Sequence, residues 1–167
     1  MNDRSTLPLV YSCSGASSAA QMANYIAVRL DRLQVAEMSC IAGVGGDVKP
    51  LVRTAKSGRP IIALDGCPLH CAAQILKRHG LVADGHFDLS KMGVRKRYHE
   101  DFDLQEANRL LAQIQDEISR SPGAATASAT ATRVTGRLRS SNPAKPASNA
   151  PHGPPGIRSS EDEVKDR

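Results

Sequence analysis

Short apolar runs alternate with amphipathic stretches along the first 120 residues of the chain. The clearest apolar runs cover residues 9–11, 35–39 and 61–64. All three runs predict strands, and residues 61–64, which are wholly apolar, predict a strand that is buried on both faces. A weaker fourth strand is expected between residues 82 and 89.

Four stretches between and after these runs carry apolar residues at the three- and four-residue spacing of an amphipathic helix. They cover residues 19–33, 47–58, 68–80 and 104–120. Asp47 is expected to cap the second helix, and Asp103, with Glu106 three positions later, the fourth. Pro68 fits the first position of the third helix, which would place Cys67 near its N-cap.

Strands that alternate with helices predict a parallel sheet with right-handed crossovers. We therefore expect a small, doubly wound α/β domain over residues 1–120, with about four mostly parallel strands and helices on both faces. Residues 121–167 are rich in Ala, Ser, Thr, Pro and Gly and have almost no large apolar side chain. Such a segment cannot bury enough surface to offset the entropy of ordering, so we expect a disordered tail.

Composition narrows the functional classes. The net charge is +5, but residues 121–167 carry seven Lys/Arg against four Asp/Glu, which leaves +2 for the domain. A near-neutral domain offers little electrostatic footprint for nucleic acid, so nucleic-acid binding is not expected.

The sequence also bears on location. No apolar run reaches the length of a membrane span, and no secretory segment is evident, so a cytoplasmic location is expected. Thiols stay reduced there, which favours metal binding or reactivity over disulfides.

The four cysteines follow the predicted strands at regular intervals. Cys13 and Cys40 are 27 positions apart, as are Cys40 and Cys67, and Cys71 follows four residues later. Because parallel strands end at one edge of the sheet, we expect all four sulfurs to meet there. Four thiolates are a suitable ligand set for tetrahedral Zn²⁺, so Cys13, Cys40, Cys67 and Cys71 are the predicted metal ligands.

Other readings of the cysteines remain open. Each could be a small buried hydrophobe, although repetition at strand ends argues against this. The protein could instead be a thiol redox enzyme or sulfur carrier, in which Cys67 attacks a substrate and Cys71 resolves the intermediate. An iron–sulfur cluster on the same four cysteines is a third possibility. No catalytic base is evident in the sequence, which favours a binding protein.

Several residues near the cysteines could contribute to the predicted site or to its surroundings. His70 could replace one sulfur as a ligand, although adjacent helical positions point about 100° apart. Asp65 could accept hydrogen bonds that orient the turn, or support Cys67. His86 is expected at the surface. A basic run is either a solvated face or a docking surface for an acidic partner. This run consists of Lys91, Arg95, Lys96 and Arg97.

Four segments resemble the DGC-domain proteins, small bacterial proteins named for a tripeptide that is present here as Asp65-Gly66-Cys67. The segments are residues 11–15, 38–46, 65–71 and 93–96. The resemblance covers about residues 7–118 and implies metal chelation by cysteines. Family members often carry a second cysteine three positions after the first, where this chain has Ala16. Either the site lacks one ligand, or Cys40 and Cys71 complete it.

Overall fold

The computed structural model describes residues 4–120 and shows a four-stranded parallel sheet with helices on both faces. The elements are β1 Leu9–Ser12, α1 Ser18–Arg32, β2 Glu37–Met38, α2 Ile41–Gly45, α3 Lys49–Ala55, β3 Ile61–Asp65, α4 Cys71–Arg78, β4 Gly85–Asp88 and α5 Leu104–Arg120. The predicted doubly wound α/β class is confirmed. The predicted disordered tail, residues 121–167, lies outside the described residues.

The strands lie in the order β2-β1-β3-β4, and all three pairings are parallel. From β1 the chain moves one way to β2 and then crosses back to β3 on the other side. The strand order therefore reverses between β1 and β3. In open α/β sheets, the crevice beyond the strand ends at such a reversal is the usual place for a ligand.

Two apolar layers cover the sheet. One is formed by α1, α5 and alternate strand residues, among them Val10, Ile62 and Leu64. The other lies against Leu9, Tyr11, Ile61 and Ala63 and includes Val44, Ala55 and Leu76 from the helices. Successive strand residues thus face opposite layers, as the period of two requires. Because helices cover both faces of the sheet, we expect functional groups at the edge where the strands end.

The predicted start of the second helix is wrong. A short helix, α2, already begins at Ile41, and the Cys40 sulfur accepts a hydrogen bond from the Gly43 N–H at 3.4 Å. The glycines that suggested a flexible turn lie mostly inside this helix. Asp47 separates α2 from α3 with a positive φ of 59° and is not an N-cap.

The third predicted helix also starts later than expected. Pro68 lies in a turn in which the His70 N–H donates to the Cys67 carbonyl at 3.1 Å. His70 adopts a left-handed conformation with φ 49°, and α4 begins at the next residue. Cys67 is therefore not an N-cap residue. Cys67 and Cys71 therefore do not lie on one face of a common helix.

Candidate thiolate site

Cys13 lies directly beyond β1, at the reversal of strand order. Its side chain is buried, and its backbone N–H donates to the Leu64 carbonyl of β3 at 2.9 Å. The Cys13 sulfur accepts a hydrogen bond from the Gly66 N–H at 3.1 Å. These two bonds join Cys13 to β3 and to the turn after it, which also contains Cys67.

Burial controls the ionisation of Cys13. It raises the pKa of the thiol to about 11, while the Gly66 N–H acts in the opposite direction. Negative charge on Asp65, Cys71 and Cys67 raises this pKa further. Cys13 is therefore electrostatically linked to both cysteines of the β3–α4 segment. Without a bound cation, it stays protonated at neutral pH.

Gly66 allows the turn after β3 to approach the start of α1. A Cβ atom placed on Gly66 would lie 2.4 Å from the Ala19 carbonyl oxygen and 2.5 Å from its carbon. No side chain fits there, because both atoms belong to a helix backbone. The middle residue of the Asp-Gly-Cys tripeptide is thus set by close packing.

Asp65 is the last residue of β3 and is completely buried. Its carboxylate accepts hydrogen bonds from the N–H groups of Ala72 and Ala73, at 2.8 and 3.2 Å, in the first turn of α4. It thereby satisfies two backbone donors that a helix start leaves without partners. The expectation that Asp65 orients this turn is confirmed, and the carboxylate also fixes where α4 begins.

Cys67 is partly exposed, and its sulfur lies 3.7 Å from the Lys96 ammonium group. Lys96 is held in place by its neighbours. The Arg97 carbonyl accepts from the Ser18 N–H at 2.9 Å, and the Arg97 N–H donates to the Ser18 hydroxyl at 3.0 Å. The segment after β4 is thus fastened to the start of α1. The sequence predicts only that Lys96 belongs to a basic surface run, because nothing in its position indicates a contact with Cys67.

Cys71 and Cys40 are both exposed. Cys71 is the first residue of α4. Cys40 follows β2, the outermost strand on its side of the sheet. It borders a cavity of about 440 Å³ that is also lined by Arg4, Asp31 and Arg32. Cys40 therefore lies at the sheet's outer edge and not at the reversal.

The donor types at this edge suit zinc, but their positions do not form a ready site. Among residues 4–120, no group of three or more His, Cys, Asp or Glu side chains is arranged to hold a metal ion. Any zinc bound here requires side chains or the turn to move. The assignment of Cys13, Cys40, Cys67 and Cys71 as metal ligands stays a prediction.

A pair of histidine–aspartate contacts lies beside the cysteines. His70 Nε2 is 2.8 Å from an Asp88 oxygen, and His86 Nε2 is 3.0 Å from an Asp65 oxygen. His86 is exposed, as expected, and its ring also contacts the buried carboxylate of Asp65. Sequence reasoning missed the pairing. An aspartate at the end of each of two strands was the available signal.

Comparison with known proteins identifies the family. The DGC domain model matches residues 9–114. The anaerobic and virulence modulator AnvM of Pseudomonas aeruginosa (strain PAO1) is 61% identical over 109 residues, which cover 65% of this chain and 83% of the relative. No solved structure gives a significant match. In the part of the chain that the structure covers, no helix has the length and apolar character needed to cross a bilayer. This chain belongs to the DGC-domain family.

Proposed function

We propose that this DGC-domain protein binds zinc through cysteine thiolates. Cys13, Cys67 and Cys71 are the inner ligands, and Cys40 is the outer candidate. The proposal rests on one observation: the Cys13 thiol is linked both by the Gly66 hydrogen bond and electrostatically to the segment that carries Cys67 and Cys71. A divalent cation among these groups would relieve their mutual repulsion and replace the Cys13 proton.

Movement of the two exposed cysteines would complete such a site. Cys67 lies in a turn, and Cys71 starts a helix of eight residues, so their side chains can reorient more easily than the buried Cys13. Zinc prefers four donors in structural sites. Cys40 would have to approach from beyond β1, which makes it the ligand whose loss matters least.

Elemental analysis of the full-length chain tests this proposal. Protein purified with zinc in the medium should carry zinc at these cysteines, and Cys67→Ser and Cys71→Ser should each lower the zinc content by about one ion per chain. Cys13→Ala should do the same, with circular dichroism to establish that the variant is folded. Ser14→Ala, a change at an exposed neighbour, is the matched control. Zinc content that none of the cysteine substitutions lowers would reject thiolate binding.

A second candidate function is thiol chemistry, in which Cys67 is the nucleophile and Cys71 the resolving cysteine. The contact between Lys96 and the Cys67 sulfur favours it, because a nearby ammonium group stabilises a thiolate. Rapid, Lys96-dependent alkylation of Cys67 in metal-free protein would support this function. A reduced, cytoplasmic environment suits both candidates.

The relative's name suggests a role in modulation. AnvM is described as an anaerobic and virulence modulator, and its identity with this chain covers most of the domain. We propose that this chain is likewise a modulator that acts by binding. Its effect would depend on the cysteines at the sheet edge, Cys13, Cys67 and Cys71. Loss of its effect on a cellular response in a Cys67→Ser strain, with protein levels unchanged, would connect the site to that role.

A further inference from the structure

Two imidazole rings lie together beside β3 and β4: His86 is a residue of β4, and His70 directly precedes α4. The ring centroids of His70 and His86 are 4.8 Å apart, and the planes meet at 84°. Each ring is fixed through Nε2 by a different aspartate, Asp88 for His70 and Asp65 for His86. Neither ring contacts a cysteine sulfur through a hydrogen bond among the described residues.

The two carboxylates behind the rings are buried. Asp65 is fully inaccessible, and Asp88 is 6% exposed. They are register partners on β3 and β4, so their backbones are adjacent. Within residues 4–120, their hydrogen-bond and ion-pair partners are backbone N–H groups, Ser90 and the two histidines, with no lysine or arginine. Among the described residues, these two neighbouring buried carboxyl groups therefore have histidine as their only basic partner.

The hydrogen bonds determine which nitrogen of each ring is available. An ionised carboxylate only accepts hydrogen bonds, so Nε2 of each ring must carry the proton. In the neutral imidazole, Nδ1 then holds a free lone pair. Metal-binding histidines almost always donate their other ring N–H to a carboxylate or carbonyl in this way. The side chains of His70 and His86 are 28% and 32% exposed, so an ion can reach them from solvent.

We propose that His70 and His86 together bind a divalent transition-metal ion, such as Zn²⁺, through their Nδ1 atoms, with water in the remaining positions. The ion's charge balances the buried carboxylates of Asp65 and Asp88 through the rings. Only two protein ligands are needed, which agrees with the absence of any three-ligand group in residues 4–120. This site is independent of the proposed cysteine site.

Imidazole nitrogen spectra test the site directly. The ¹⁵N-labelled, untagged full-length chain with Cys67→Ser and Cys71→Ser is titrated with Zn²⁺ at constant pH, and long-range ¹H–¹⁵N correlations are recorded. We expect Nδ1 of His70 and His86 to shift together while Nε2 of both stays protonated. His79 is the comparison residue, because its Nε2 contacts the Val44 carbonyl at 2.8 Å and lies 3.5 Å from an oxygen of exposed Asp47, so no buried carboxylate holds it.

Substitutions decide whether the rings act as a pair. His70→Gln should abolish the response of His86, and His86→Gln that of His70, whereas His79→Gln should change neither. Asp88→Asn keeps the shape of the side chain but weakens its hold on His70. It should lower zinc affinity about 10–100-fold, as for other groups that orient metal-binding histidines.

The outcomes separate this site from the cysteine site. A response of both rings in the Cys67→Ser, Cys71→Ser protein supports the histidine site, whether or not the wild-type cysteines bind zinc. Silent Nδ1 signals in that protein overturn it, even if wild-type zinc content depends on cysteine. A His86 response that survives His70→Gln also overturns it, since one imidazole would then suffice.

Discussion

The reversal point, where the neighbouring strands β1 and β3 end, and the outer edge at β2 both carry cysteines. The two places differ in burial, hydrogen bonding and electrostatic environment. At the reversal, Cys13 is buried, hydrogen-bonded to Gly66 and linked electrostatically to two other thiols. At the outer edge, β2 has only two residues, and Cys40 is exposed beside an open cavity. Equal spacing along the chain has therefore produced two unequal environments.

Strand order explains the inequality. A repeat of 27 residues places each of three cysteines just after a strand, but the sheet order β2-β1-β3-β4 makes only two of those strands flank the reversal. Ligand crevices form where the order reverses. Sequence periodicity thus specifies distance from the strand end, whereas topology decides which strand ends are neighbours.

Packing beside Gly66 is the sharpest difference between the regions. Gly66→Ala should lower the free energy of unfolding by about 1–3 kcal/mol, because its Cβ would overlap the Ala19 backbone. On the outer side, Gly45→Ala meets only the flexible end of Ile75 at 3.3 Å and should cost much less. Urea unfolding of both variants measures the contrast. Equal losses would contradict the close-packing role of Gly66.

Thiol labelling should distinguish the two regions next. Raising the pKa of Cys13 from 9.0 to about 11 lowers its thiolate fraction about 100-fold at neutral pH. In metal-free protein, iodoacetamide should modify exposed Cys40 first and Cys13 last, as followed by peptide mass spectrometry. Unfolding in urea should remove the difference. Comparable rates for the two cysteines in folded protein would disprove the contrast.

The ionisation of Cys13 also makes the free energy of unfolding depend on pH. The folded chain holds the thiol proton more tightly than the unfolded chain, so ionisation stabilises the unfolded state as pH rises from about 9 to about 11. The stability that Cys13 contributes is complete below this window and is lost through it. Burial also raises the pKa of Tyr11, so its ionisation likewise favours the unfolded chain. The wild-type minus Cys13→Ala difference, measured without metal, isolates the thiol.

The smallest expected effect belongs to Lys96. Lys96→Gln removes an exposed charge beside Cys67 and should leave the urea midpoint unchanged. It should, however, slow alkylation of Cys67 without altering that of Cys40. Lys91→Gln, in the same basic run, is the matched control. Similar slowing at both cysteines would mean that the ammonium acts as general surface charge and not through its contact with Cys67.

Much of the fold could be predicted from the sequence, because hydrophobic periodicity reports local structure. The long helices α1 and α5 carry strong apolar stripes and caps, and the α/β class followed from alternation alone. The start of α4 could not be predicted. Pro68 is suited to a helix start, but the Asp65 carboxylate binds the N–H groups of Ala72 and Ala73 and moves that start to Cys71. Long-range contacts of this kind leave no periodic trace.

The candidate site was only partly predictable for the same reason. Four cysteines and one tripeptide indicated the family, which the DGC match confirms, whereas the site at the sheet edge stays a prediction. The contribution of Lys96 depends on a contact across 29 residues, and the histidine–aspartate pairs depend on the register of β3 and β4. Neither spacing nor residue type encodes these distances.

The bond between Ser18 and Arg97 joins residues 79 positions apart, so the order of synthesis affects the site. A ribosome releases all four cysteines well before the segment that brings Lys96 to Cys67. During that interval, a nascent chain presents its thiols without their basic neighbour. Until the fold closes, Cys13, which is buried in the finished protein, is also open to oxidants and metal ions.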